Sequence, residues 1–216
     1  MPEIVIPTRN DLPKLAQCHR TAFPRTLSAA MGQRYVEKML EWYLVDDRAF
    51  IFFLQEGSSC VGYCGGLKFD GTHNVGSASS MIQHSYTLAL RTFFRRPWLF
   101  LHPEFRPKYR LALKNVVRRI GKALGLMSTS RVTKQANPRE AHTGLIVIGV
   151  NPDLQGKGYG SQLLQEFERS SLALGYNKMM LTVRTDNSKA IQSYVRNGWQ
   201  TTKVEGKSTT MEKRLS

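Results

Sequence analysis

The stretch Gln155-Gly156-Lys157-Gly158-Tyr159-Gly160 sets three glycines between an apolar strand pattern and a helical one, and the chemistry it suits is anion binding. Glycine lets a backbone come within hydrogen-bond reach of a ligand. The first turn of a helix also carries N–H groups with no intrahelical acceptor, at the positive end of the helix dipole. A diphosphate is the natural guest. Ahead of the turn, Leu145-Ile146-Val147-Ile148-Gly149-Val150 is the kind of run a buried strand needs, and Pro152 ends the pairing by removing a donor. Behind it, Leu163, Leu164, Phe167, Ser171 and Leu174 recur at helical spacing, so residues 156–160 are expected to open a helix.

Two nucleotide-binding motifs do not match. A Rossmann fingerprint needs its first glycine after the opening strand of a βαβ unit and an acidic residue about twenty positions later. Here the turn comes late, and no acidic residue lies between Glu168 and Asp186. The Gly-Lys-Ser/Thr order of a triphosphate loop is also absent around Lys157.

A second strand pattern, residues 178–184, leads into Asn187-Ser-Lys-Ala190-Ile191-Gln-Ser-Tyr194-Val-Arg-Asn-Gly198-Trp199. With Val150-x-Pro152 and the Gln155-x-x-Gly158-x-Gly160 turn, this segment resembles the GNAT superfamily of acetyl-CoA-dependent N-acetyltransferases. The likeness is strong over residues 143–215 and rests on pattern alone over 3–69. It implies an α/β fold with a mixed, mostly antiparallel sheet flanked by helices. It also implies that acetyl passes directly from acetyl-CoA to a primary amine in a ternary complex, without a metal.

The resemblance assigns roles to residues. Ile148 and Val150 would offer backbone groups to the pantetheine arm. Gln155, Gly156, Lys157, Gly158, Tyr159 and Gly160 would give amides to the pyrophosphate, with Ser161 next along the helix and Asn187 on the opposite wall. Tyr194 would hand a proton to the departing sulfur. Trp199 stands where the family more often has Phe or Tyr.

The chemistry sets its own demands. An amine of pKa near 10.4 is neutral in only roughly one molecule in a few thousand at pH 7, so attack needs a base, a water relay or a less basic amine. The leaving thiolate, of pKa about 8.5, gains from a proton donor. Glu140 and His142, just before the cofactor strand, are the candidates for the base. Nothing in the sequence separates an amino sugar, a polyamine, an amino acid, an antibiotic or a protein lysine as substrate. A competing reading is a catalytically silent CoA-binding module.

The elements that position these groups follow from patterning. Residues 3–7 read as a first strand, and Thr8 or Asn10 caps a helix to about Phe23 that buries Leu12, Leu15, Ala16, His19 and Phe23. Residues 33–45 read as a helix burying Val36, Met39, Leu40, Tyr43 and Leu44. Hairpins are expected from 49–55 with 61–69 and from 200–204 with 209–215. At 216 residues the chain is read as one domain carrying an insertion at about 70–140. Cys18, Cys60 and Cys64, an odd number with no signal peptide ahead of them, point to free thiols and a cytoplasmic setting. Cys60 and Cys64 lack a histidine pair, so metal binding is not expected. No apolar run approaches the ~20 residues of a membrane span.

The insertion holds most of the charge. Residues 70–140 carry thirteen Lys or Arg against three Asp or Glu, +10 of the formal +15. Tyr109, Leu113, Val116, Val117, Ile120 and Leu124 form an apolar stripe beside the recurring Arg110, Lys114, Arg118 and Lys122. Upstream, Leu88, Leu90, Phe93, Phe94, Trp98, Leu99, Phe100 and Leu101 surround Arg91, Arg95 and Arg96. Three roles stay open: a lid packed on the domain, a peripheral contact with anionic membrane, or reception of an acidic or phosphorylated substrate. Nucleic acid ranks lowest, because no recognised binding fold is present and the aromatics cluster with aliphatics.

Overall fold

The computed structural model describes residues 2–71, 77–105 and 140–215. Along them run β1 (Glu3–Val5), α1 (Leu12–Ala22), α2 (Leu27–Met31), α3 (Gln33–Val45), β2 (Ala49–Glu56), β3 (Ser59–Phe69) and α4 (Ser77–Arg95). After residue 140 come β4 (His142–Val150), α5 (Tyr159–Ala173), β5 (Lys178–Arg184), α6 (Ser188–Arg196), β6 (Gln200–Glu205) and β7 (Ser208–Arg214). The strands form one seven-stranded sheet in the order β1-β2-β3-β4-β5-β7-β6. Every neighbouring pair is antiparallel except β4 with β5. The stripe from Tyr109 to Leu124 and the series Arg110, Lys114, Arg118 and Lys122 lie outside the described residues.

Helices cover both faces of the sheet, which explains the unbroken apolar run at the start of β2. Alternate side chains divide between two cores. Ile51 and Phe53 pack with Tyr63 and Leu67 under Leu15, Ala16, Val36, Leu40 and Tyr43 of α1 and α3. Phe52 and Leu54 face the other way, with Cys64, Leu145, Met179 and Leu181 beneath Leu163, Leu164 and Phe167 of α5. Of the residues expected inside, Leu15, Ala16, His19, Val36, Leu40 and Tyr43 are buried and Leu12, Phe23, Met39 and Leu44 half-buried, while Cys18 and Trp42 are buried beside them without having stood out in the pattern. Boundaries moved by a few residues: a 3-10 turn at Arg9–Asp11 opens α1, with the Asp11 carboxylate accepting from the N–H and hydroxyl of Thr8, both at 2.8 Å.

The link from α1 to α3, including the short helix α2, had no signal in the sequence pattern. A chain of hydrogen bonds holds it. His19 is buried, with Nδ1 2.5 Å from the Tyr63 hydroxyl and Nε2 2.8 Å from Ser28 Oγ. Ser28 Oγ lies 3.0 Å from Thr26 Oγ1, which donates to the Phe23 carbonyl at 2.8 Å. Because Thr26 spends its proton on Phe23, Ser28 donates to Thr26, which in turn has His19 donate through Nε2 and accept from Tyr63 through Nδ1.

Burial pushes the His19 pKa down from 6.5 to about 4. Between these values the unfolded chain binds a proton that the folded chain does not, so stability rises with pH in that window. The contribution is complete above pH 6.5 and is lost as pH falls to about 4, a change of about 3 kcal/mol. Denaturant titrations at pH 7 and pH 4.5 should show this loss, and His19→Gln, which does not titrate, should flatten it.

Candidate active site

The parallel pair β4 and β5 is joined for only part of its length. Thr143, Gly144 and Leu145 pair with Met179, Met180 and Leu181, and there the pairing stops. β4 runs on to Val150 and β5 to Arg184 without pairing to each other, and the gap between these unpaired edges is the candidate cleft. On the other side of β4 the register with β3 slips between Gly65 and Gly66, leaving Ile146 as an extra residue. Such a bulge bends its strand, here at the point where β4 parts from β5. It also puts Ile146 and Val147 together against the α1 side, while Leu145, Ile148 and Val150 stay with the α5 core.

The direction of the backbone in the cleft follows from the ladder. Asn151 N–H donates to the Val61 carbonyl at 2.9 Å, and the register sets Val150 opposite Gly62 and Ile148 opposite Cys64. Alternate residues of an antiparallel strand bond to the same neighbour, so the N–H and C=O groups of Ile148 and Val150 point away from β3, toward the cleft. The Val150 carbonyl meets Gln155 Nε2 there at 3.3 Å. An extended chain laid in the cleft has these groups to pair with.

The glycine turn lies just past the end of β4. Asn151 Oδ1 accepts from Asp153 N–H at 3.2 Å, shaping the 3-10 turn Pro152–Leu154. Gly156 and Gly158 have φ of +86° and +87°, a region that L side chains rarely enter, and Gly158 caps α5 without any side-chain bond. A Cβ on Gly156, Gly158 or Gly160 would meet nothing within 4 Å. The N–H groups of residues 156–161 find no acceptor among the described residues. The turn is therefore open and leaves N–H donors free at the start of α5, which is what an anion site needs.

Helix α6 forms the facing wall. Asn187 caps it, its Oδ1 accepting from Ala190 N–H at 3.2 Å, so that oxygen is engaged within the helix. Lys189 Nζ donates to Gln155 Oε1 at 2.7 Å and Asn197 Nδ2 donates to Ser161 Oγ at 3.2 Å, tying α6 across the glycine turn at two places. Tyr194 is half-buried against the α5 core, which also holds Ile148 and Val150, and its ring lies 6.1 Å from that of Trp199. Its hydroxyl has no partner among the described residues. Burial, with the neighbouring Cys64 adding to it, pushes the Tyr194 pKa up to about 12.

The structure does not bring Glu140 to this cleft. It stands at the paired end of β4, where Lys178 Nζ donates to Oε2 at 3.0 Å and Arg214 Nη1 to Oε1 at 2.7 Å. Arg214 first and Lys178 second hold its carboxyl down at about 2, too weak a base to deprotonate an amine. His142 is buried at the same end, stacked on Phe69 at 4.8 Å, and its Nδ1–H donates to the Glu140 carbonyl at 2.8 Å. Its position fits a role in closing the strand start.

The sequence model of the acetyltransferase (GNAT) family matches residues 80–199, more than half of the chain. The chain belongs to the GNAT acetyltransferase family. An acetyltransferase of Yersinia enterocolitica is 33% identical over 54 residues, which cover 25% of this chain and 38% of that relative. The match thus spans well under half the relative's length. A GNAT-family structure from Desulfovibrio desulfuricans superposes with a TM-score of 0.60 at 10% identity, covering all of both chains. The PaiA N-acetyltransferase of Thermoplasma acidophilum, solved with coenzyme A, superposes with a TM-score of 0.55 at 14% identity, covering 100% of this chain and 99% of that one. These likenesses establish the GNAT fold.

Two features of this GNAT site escaped the sequence reading. The bulge at Ile146 had a signal in Gly65-Gly66, since glycines inside a strand pattern mark bulges and close approaches. At Gly65 a Cβ would come 2.7 Å from the Tyr43 ring, and at Gly66 it would run into the ring of Phe50. The role of Lys189 in fixing Gln155 had no signal, because it depends on how α6 lies across the turn.

Proposed function

We propose that this protein transfers the acetyl group of acetyl-CoA to a primary amine by direct attack in a ternary complex. The observation that carries the reading is the parting of β4 from β5 after Leu145 and Leu181, with the open glycine turn at its mouth. The donor set fits the cosubstrate. Amides of residues 156–161, with Ser161 Oγ beside them, would hold the diphosphate, and the backbone of Ile148 and Val150 would pair with the pantetheine arm as a strand does. Lys157 adds a positive charge in the turn, and Asn187 keeps its amide NH2 for the cofactor while its oxygen caps α6.

Tyr194 would then act on the departing sulfur. With its pKa near 12 and a thiol near 8.5, full proton transfer to the thiolate is uphill by about 5 kcal/mol. A hydrogen bond from the hydroxyl to the developing thiolate needs no transfer, and a group that stays protonated across the working range supplies it well. With Glu140 held by two cations, water relaying the amine proton to solvent is the reading the site supports for the base. Orientation of the two reactants accounts for most of the acceleration on this view.

The acceptor is an amine, an acidic or phosphorylated one among the options that a basic chain attracts. A cytoplasmic setting belongs to the same proposal. Thiol release measured over a panel of amino acids, polyamines, amino sugars and lysine peptides tests the reading. Acetylated product from at least one amine supports it. Tight acetyl-CoA binding with no turnover on any amine would favour the catalytically silent module.

A further inference from the structure

Helix α4 carries apolar side chains on both sides: Met81 packs against the α1–α3 core and Phe93 against Phe100 and Phe105, while a further apolar row faces outward. Beside Met81, its inner side meets α3 through polar groups as well: Trp42 Nε1 donates to Ser80 Oγ at 3.0 Å, His84 Nε2 lies 3.1 Å from Glu41 Oε2, and Ser85 is buried. Its outer side carries Ile82, Tyr86, Leu90 and Phe94 at every fourth position, and Trp98 and Leu101 of the following 3-10 turn (Pro97–Leu101) extend the line. A helix of a water-soluble domain normally turns its apolar stripe to the core. Here Phe94 is 86% exposed, Leu101 75% and Trp98 62%. Single exposed apolar residues need no explanation, but these six and the exposed Phe100, all within residues 82–101, do.

The charge around the row selects what can cover it. No acidic residue occurs between 77 and 101, while Arg91 and Arg95 each follow a member of the row and are exposed. A second copy of the chain would bring these arginines together within a protein of formal charge +15, a repulsive contact. The occupant must offer apolar depth and negative charge together.

We propose that the outer face of α4 and the 3-10 turn after it is a docking surface for an anionic lipid bilayer. Phe94, Trp98 and Leu101 enter the acyl boundary, and Arg91 and Arg95 pair with headgroup phosphates. The surface lies close to the α1–α3 link: Arg96 Nη1 donates to the Ala30 carbonyl at 3.3 Å, and Glu104 Oε2 accepts from Leu27 N–H at 2.9 Å. Docking would therefore set α2 and the α1–α3 link against the bilayer. The inference stands apart from the acetyl-transfer reading.

The chain supplies its own probe. Of its three tryptophans, Trp42 and Trp199 are buried and Trp98 is exposed, so a change in emission on docking reports Trp98. The full chain should sediment with phosphatidylcholine vesicles containing about one third phosphatidylglycerol, and not with pure phosphatidylcholine, with binding that weakens as salt rises. Trp98 emission should shift to the blue as binding saturates. Phe94→Ser with Trp98→Ser should weaken partitioning at least about tenfold, and Arg91→Gln with Arg95→Gln about tenfold or more. Acetyl-CoA affinity should not change in either variant. No sedimentation at low salt overturns the proposal. So does sedimentation that ignores the aromatic variant and leaves Trp98 emission unmoved, which is attraction by charge elsewhere on the chain. A dimer in solution that the aromatic variant dissolves would assign the row to self-association and overturn it too. Should the aromatic variant fail to fold, the emission of Trp98 in the wild type decides alone.

Discussion

Replacing Tyr194 by Phe should lower acetyl transfer by about 10²- to 10³-fold, the loss expected when one donor aimed at developing negative charge is removed. The ring stays in place against Trp199, and the hydroxyl has no partner to abandon among the described residues, so stability should hold or rise slightly. The Michaelis constant for acetyl-CoA should change little, since the bond is made as the sulfur departs. The pH profile separates the two roles open to this tyrosine. A proton-transferring acid with a pKa near the thiol's would give a falling limb above about pH 8.5. With the pKa pushed up to about 12, the wild-type rate should instead climb with pH toward the pKa of the amine and show no tyrosine limb below it. Near-normal turnover in Tyr194→Phe would return the residue to plain core packing.

How far the sequence could be read depended on whether a feature was local. The strand, turn and helix around the glycines are set by neighbours within about twenty positions, and they stand in the structure nearly where periodicity puts them. Asn187 was legible as the opening of a helix, yet its capping bond gives its oxygen a task that the motif alone did not reveal. Glu140 failed for a long-range reason. Its nearness in sequence to β4 suggested access to the cleft, but a strand has two ends, and Lys178 and Arg214 meet it at the paired one. Neither partner is predictable from residues near 140. His19 shows the same limit from the other side: spacing marked it as buried, while Tyr63 and Ser28, which make that burial tolerable, come from distant parts of the fold.

The parting of β4 from β5 leaves backbone groups free without breaking the core of the sheet. Pairing of β4 with β5 is kept at Thr143–Leu145, where Thr143 Oγ1 reaches Ser171 Oγ of α5 at 2.8 Å and Met179 and Leu181 are buried. Beyond that, the extra residue at Ile146 turns β4 aside while its register with β3 continues to Val150 and a last bond runs from Asn151 N–H to the Val61 carbonyl. β5 keeps β7 as a partner along its whole length. Each strand thus loses one neighbour over a few residues and retains the other, so the free backbone edges face the cleft at little expense to the sheet.

The glycine turn allows a test in which stability and binding move in opposite directions. Gly160 is the second residue of α5, has an ordinary helical backbone, and offers open space for a Cβ. Gly160→Ala should therefore raise stability by about 0.5–1 kcal/mol, because alanine has less chain entropy to lose in a helix. If the cradle holds the diphosphate, the same methyl group stands where an oxygen must approach, and at least one charge-assisted hydrogen bond is lost. Such a bond is worth about 1.5–3 kcal/mol, so acetyl-CoA affinity should fall about 10- to 100-fold. Gly158→Val should block binding at least as strongly, but its φ of +87° adds about 1–2 kcal/mol of backbone strain to the fold, which makes it the less clean variant. Calorimetric titration with acetyl-CoA beside a denaturant curve measures both quantities for each protein. A Gly160→Ala chain that gains stability and binds acetyl-CoA as well as the wild type would show that the glycines serve the turn alone. The diphosphate would then have to be sought elsewhere along the cleft between β4 and β5.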